Sequence, residues 1–185
     1  MQVKDKIIDI PPLNTMLKFV EFAIFHGFNL QQWDQHFTFS PGNGARQFRA
    51  AKWTSLIEGD IRYPGTWKAG RNLTILRKDG VYSIGKLLEI VSSHSLFQIA
   101  LMDLQNEIEP PQIRKRLEQK ILADFSKDDG SEYSSATATL RSSQVITWSR
   151  MILGELEINL SGVGYLLSTQ QKSVSQIDLH LRRPD

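Results

Sequence analysis

Tyr133-Ser-Ser-Ala-Thr-Ala-Thr-Leu-Arg-Ser-Ser-Gln-Val-Ile-Thr-Trp-Ser-Arg150 is the stretch that sets the reading of this chain. Leu140, Val145, Trp148 and Ile152 recur at helical spacing, which predicts a helix from about Ser135 to Leu153 with those side chains inward. Opposite them stand Thr137, Thr139, Arg141, Ser142, Gln144 and Thr147. Ser and Thr compete with a helix for its own backbone hydrogen bonds, so their density is an intrinsic cost. Contact with phosphates and base edges gives that cost a purpose. Arg141 suits a guanine edge or a phosphate and Gln144 an adenine edge, and Thr137, Thr139 and Ser142 complete the expected DNA-facing set.

Working outward, the earlier run Ser40-Pro-Gly-Asn-Gly-Ala-Arg-Gln-Phe-Arg-Ala-Ala-Lys-Trp53 has a similar make-up. It predicts a helix with Ala45, Phe48, Ala51 and Leu56 on its apolar side, and with Arg46, Gln47 and Arg49 where a recognition helix enters a groove. Ile61 and Tyr63 alternate with polar residues, Pro64-Gly65 and Ala69-Gly70 signal turns, and Asn72-Leu-Thr-Ile-Leu76 reads as a returning strand. Lys68 and Arg71 then flank the turn of a small wing, where cations contact the DNA backbone and add affinity more than sequence choice. Trp67 is expected to pack on the base of that wing.

Ahead of this unit, Pro11-Pro12 precedes a helical stripe of Leu13, Met16, Leu17, Val20, Ala23 and Ile24, and Asn29 opens a short second helix through Trp33 and Phe37. The order recurs later in the chain. Ile84, Leu87, Leu88 and Val91 form one stripe; a break at Ser92-Ser93-His94 separates it from Phe97, Ile99, Ala100, Leu101 and Leu104. Pro110-Pro111 starts a third helix with Ile113, Leu117, Ile121 and Leu122 on one face, and Gly154 closes the hydroxyl-rich one. Leu156, Ile158 and Leu160 alternate before a Ser161-to-Gly164 turn into Tyr165-Leu166-Leu167, a second wing. The expected fold is mainly α with small β-wings, a tandem winged helix-turn-helix. Residues 1–80 form the first module, 81–168 the second, and 169–185 a polar tail in which Ile177, Leu179 and Leu181 alternate as in a strand.

Composition bounds the function. With 185 residues, 41% of them hydrophobic, the chain can bury a real core. Zero cysteines exclude disulfides and thiolate metal sites, and the sequence carries neither a secretory pattern nor a long apolar run, which suits a cytoplasmic protein away from membranes. The net charge is only +2, but it is unevenly spread: from Gly44 to Lys86 there are nine basic residues against three acidic. From Leu87 to Tyr133 the balance is nine acidic to five basic, and from Ser134 to Gly154 Arg141 and Arg150 face no acidic residue. The two Arg-bearing helices thus lie in the electropositive parts of the chain, as a phosphate-facing surface requires.

Phe39-Ser-Pro, Arg46-Gln-Phe-Arg-Ala-Ala-Lys-Trp-Thr-Ser-Leu-Ile57, Ser93-His-Ser-Leu-Phe97 and Ser135-Ala-Thr-Ala-Thr-Leu-Arg-Ser-Ser-Gln-Val-Ile-Thr-Trp148 together resemble the paired winged-helix modules associated with bacterial restriction systems. The resemblance spans about residues 13 to 155 and carries Arg46, Gln47, Thr139, Arg141 and Trp148 into the pattern. Leu140 stands where that pattern has Arg, and Gly42-Asn43-Gly44 is an insertion ahead of the first recognition helix. It implies a target-recognition subunit or domain in a restriction or other anti-phage (antiviral defence) system, with double-stranded DNA as partner and a nuclease or other defence subunit beside it.

No catalytic set is legible. Glu118-Gln-Lys120 offers half of a nuclease motif, but in a helical pattern without a partner Asp on an earlier strand. His26, His36, His94 and His180 lack metal-ligand spacing, with His94 better placed to cap or pack at a helix junction, and the Gly-Asn-Gly run lacks the Lys-Ser/Thr of a phosphate loop. Neither metal nor cofactor is expected. The rival readings are a winged-helix protein-interaction scaffold, with Glu107 to Glu132 as docking surface, and a transcriptional regulator.

Overall fold

The computed structural model describes residues 5–6, 10–28, 41–78, 81–127, 130–154 and 181–182. The expected short helix from Asn29, the second wing at Leu156–Leu167 and most of the tail lie outside these residues. Within them the chain is mainly helical with small sheets.

Helix α1 (Leu13–Phe25) follows Pro12 and is buried over most of its circumference. Helix α2 (Pro41–Trp53) packs across it and ends through Ser55, whose φ of 55° lets Leu56 N–H reach back to the Ala51 carbonyl. Strands β2 (Ile57–Asp60) and β3 (Tyr63–Ala69) then form an antiparallel hairpin. Its register pairs Ile57 with Ala69, Glu58 with Lys68 and Asp60 with Tyr63. The turn is therefore Ile61-Arg62, and Pro64-Gly65 lies inside β3.

The expected returning strand at Asn72–Leu76 is a helical turn, α3 (Leu73–Leu76). Leu73 and Leu76 are buried and Ile75 is exposed, an i, i+3 face that a strand cannot make. Gly70 fixes this corner, because a Cβ there would sit 2.1 Å from the Ser55 carbonyl oxygen. Strands β4 (Arg77–Lys78) and β5 (Val81–Ser83), on either side of the expected module boundary, pair antiparallel, and β7 (Leu181–Arg182) pairs parallel with β5. Asp5–Lys6 (β1) and Phe125–Ser126 (β6) make a second parallel pair.

Four further helices lie among the described residues: α4 (Ile84–Val91), α5 (Ser95–Gln105), α6 (Pro110–Asp124) and α7 (Ser135–Ile152). Their boundaries follow the sequence signals. Ser83 caps α4, the His94 ring nitrogen accepts from Leu96 N–H at the start of α5, prolines open α6, and Gly154 follows α7 at a φ of 77°. Helices α5, α6 and α7 pack on one another, and α4 also touches α7.

The hydrophobic residues of both halves form a single core. Trp53 of α2 stacks on Phe97 of α5 with centroids 5.8 Å apart, and both rings approach Trp148 of α7. A buried polar knot adds a second tie. Glu21 of α1, only 3% exposed, accepts from Arg77 Nε at 2.5 Å and from Tyr82 Oη at 2.6 Å. Burial, then the neighbouring carboxylate, pushes the Tyr82 phenol well above its ordinary value, so it stays a donor.

Candidate nucleic-acid interface

Helix α7 carries most of the candidate residues. Its buried seam is Ala138, Ser142, Val145, Ser149 and Ile152, joined by Ile146 and Trp148. The seam's alternating steps of four and three place it against neighbouring helices, and its small residues permit close approach. Two expectations are corrected here. Leu140, assigned inward by periodicity, is 50% exposed, and Ser142, assigned to the DNA face, is fully buried with its Oγ donating to the Ala138 carbonyl at 2.8 Å. A helix packed on several others takes small residues inside, Ser142 and Ser149 as well as Ala138.

The hydroxyls also have a local explanation. Ser143 Oγ donates to the Thr139 carbonyl at 2.9 Å and Thr147 Oγ1 to the Ser143 carbonyl at 2.8 Å. These back-bonds satisfy the hydroxyl protons within the helix itself. Ser134 caps α7 by accepting from Thr137 N–H, and Thr137 Oγ1 lies 3.0 Å from the Ser134 hydroxyl. Arg141 Nη1 reaches Gln144 Oε1 at 3.4 Å, so the two base-reading candidates sit side by side on one turn. Thr139, Arg141 and Gln144 are all partly exposed.

Trp148 is fully buried and its Nε1 donates to the Pro11 carbonyl at 2.6 Å. The hydroxyl-rich helix is thereby tied to the segment leading into α1, across 137 positions of sequence.

In the first half, α2 presents its candidates on different sides. Arg49 is exposed and Arg46 partly so, but Gln47 is 4% exposed and turned into the core beside Phe48. Gln47 is thus removed from base-edge duty: the helix buries Phe48, Ala50 and Ala51, which rotates Gln47 inward rather than Ala45. Phe48 stacks on Trp67 at 4.4 Å, and Trp67 Nε1 donates to the Asp60 carbonyl, so Trp67 packs at the wing's base as expected.

Lys68 and Arg71 do not flank the wing's turn; the register places both at the hairpin's base. Lys68 pairs with Glu58 across the strands at 3.3 Å. Arg71 lines a cleft of about 280 Å³ between the two halves, with Trp53, Ser55, Asn72 and Glu89. The residues at the tip are Arg62 and Tyr63, both exposed and neither among the candidates read from sequence. Arg62 makes a bidentate pair with Asp60 and lies over the Tyr63 ring, 5.6 Å from its centroid. Hydrogen bonds from the Arg62 side chain, then from its backbone N–H, hold the Asp60 carboxyl at about 2. The missed signal was Asp60-Ile-Arg-Tyr63 itself, in which Asp60 accepts from Arg62 N–H two residues on, as Asp does in turns.

Glu118 and Lys120 both lie on α6, each in an i, i+4 pair, with Arg114 and Asp124 respectively. Among the described residues there is no group of three His, Asp or Glu side chains that could hold a metal ion, and no helix long and apolar enough to cross a membrane. Comparison with family models, with curated proteins and with solved structures finds no match for the chain.

Proposed function

We propose that this chain is a non-catalytic double-stranded DNA-binding protein of tandem winged-helix build, serving as the target-recognition subunit or domain of a restriction or other anti-phage system. The observation that carries the reading is the turn of α7 on which Arg141 and Gln144 lie together, partly exposed, in a stretch from Ser134 to Gly154 that contains no acidic residue. A guanidinium and a carboxamide presented side by side can each form a two-point contact with a purine edge. Arg46, Arg49 and the tip residue Arg62 supply further cations for phosphates. The protein-interaction scaffold remains the second reading, favoured by the pairing of Lys68 with Glu58 and of Arg62 with Asp60, which neutralises two wing cations.

Duplex-DNA titrations over a range of salt concentrations separate the two. Phosphate contacts release condensed counterions, so about five or more of them give a log-log slope of about −4 or steeper. Absence of binding, or binding insensitive to salt, rejects the DNA reading and favours the scaffold.

A further inference from the structure

We infer that Leu140 reads the C5-methyl group of thymine, so that the preferred site carries a thymine beside the base edge met by Arg141 and Gln144. The inference rests on the duplex-DNA reading of α7 and adds to it a specificity-determining residue that periodicity had placed in the core. Leu140 is 50% exposed, yet it stands in the middle of the polar face. Along the helix it falls in one row with Ala136 and Gln144, spaced four residues apart, and Ala136 is exposed as well. Arg141, its immediate neighbour, reaches Gln144 at 3.4 Å. The hydroxyl of Ser143 is turned back to the Thr139 carbonyl, which leaves Leu140 the bulky group at the centre of this row.

An isolated apolar side chain between a guanidinium and a carboxamide is a poor protein-docking surface, because such surfaces need a contiguous apolar patch of a few hundred Å². It suits a duplex groove well. The major groove shows donors and acceptors throughout and a single kind of apolar group, the thymine methyl. A side chain that covers this methyl while its neighbours bond an adjacent purine distinguishes thymine from cytosine without a hydrogen bond of its own.

The test starts from the sequences that the full chain enriches from a random duplex pool, each then synthesised with thymine or with uracil in its place. Wild type is expected to bind the thymine form about fourfold more tightly for each methyl covered. Leu140→Ala and Leu140→Gln should bring the ratio close to one, with thermal melting unchanged. Equal binding of the two forms by wild type, or a thymine preference that survives in both variants, overturns the inference while leaving DNA binding intact. Failure to enrich or bind any duplex rejects the DNA reading itself, and this inference with it.

Discussion

At the scale of single residues, burial sorts side chains that sequence had grouped together. Arg141 and Ser142 are adjacent in the chain, but the guanidinium is partly exposed and the hydroxyl is sealed in the core. Arg141→Ala is expected to cost about 1–3 kcal/mol of binding at a preferred site and to blur discrimination there, as the loss of a two-point base contact does. Gln144→Ala should behave alike, and because the two touch, the double variant should lose less than the sum of the singles. Ser142→Ala should leave affinity and preference unchanged. Equilibrium titration of wild type and the four variants on an enriched site and on a mismatched one checks this, and a Ser142→Ala effect as large as that of Arg141→Ala would refute the assignment.

At the scale of elements, α7 and the hairpin β2–β3 depend on different forces. Helix α7 is anchored by Trp148, whose indole is fully buried and bonded to the Pro11 carbonyl. Removing a buried aromatic costs about 3–5 kcal/mol, and here it also strands a carbonyl. Trp148→Ala should therefore lower the melting temperature by on the order of 10 °C, measured by circular dichroism. A normal melting curve would contradict the burial. The hairpin turn instead rests on an exposed ion pair. Because the Asp60 carboxyl is held at about 2 against an ordinary 3.8, its contribution is complete above about pH 4 and fades as pH falls towards 2. Carboxyl-carbon NMR should show the Asp60 midpoint near 2 in wild type and raised part of the way towards the ordinary value in Arg62→Ala, which loses the guanidinium but keeps the backbone N–H bond; an ordinary midpoint in wild type would mean that the pair does not persist in solution.

At the scale of the whole molecule, one core and one buried ion cluster span both halves. Tyr82 donates to Glu21, and Trp53 stacks on Phe97 and meets His94 edge-on, both from the other half, so neither half closes its own interior. A chain cut at position 80 separates β4 from β5 and deprives Glu21 of Tyr82. Buried charge left with fewer partners is strongly destabilising. The intact protein is expected to unfold in a single cooperative transition by both circular dichroism and tryptophan fluorescence, and a fragment of residues 1–80 to show no cooperative transition at all. Two separated transitions in the intact chain, or a cooperatively melting fragment, would establish independent modules.

Local sequence suffices for the five long helices α1 and α4 to α7 other than their rotation, and for where α2 ends. The repeats at Leu13–Ile24 and Ile113–Ile121, the prolines before α6, the break at Ser92–His94 and Gly154 after α7 act within a few residues of one another, so local spacing and backbone chemistry suffice to place them. Arg141 and Gln144 were legible as surface partners for the same reason, since three positions along a helix share a face. Tertiary structure alone decided the rest. Five residues such as Asn72–Leu76 fit a strand or a helical turn equally well, until burial of Leu73 and Leu76 selects one. Gln47 and Ser142 lie inside, and Leu140 outside, because the rotation of a helix is set by the several elements packed around it rather than by hydrophobicity along its own length. The hairpin register, which places Arg62 rather than Lys68 at the tip, likewise follows from Trp67 being drawn against Phe48 and Phe19, contacts with partners too distant in sequence for any local pattern to record.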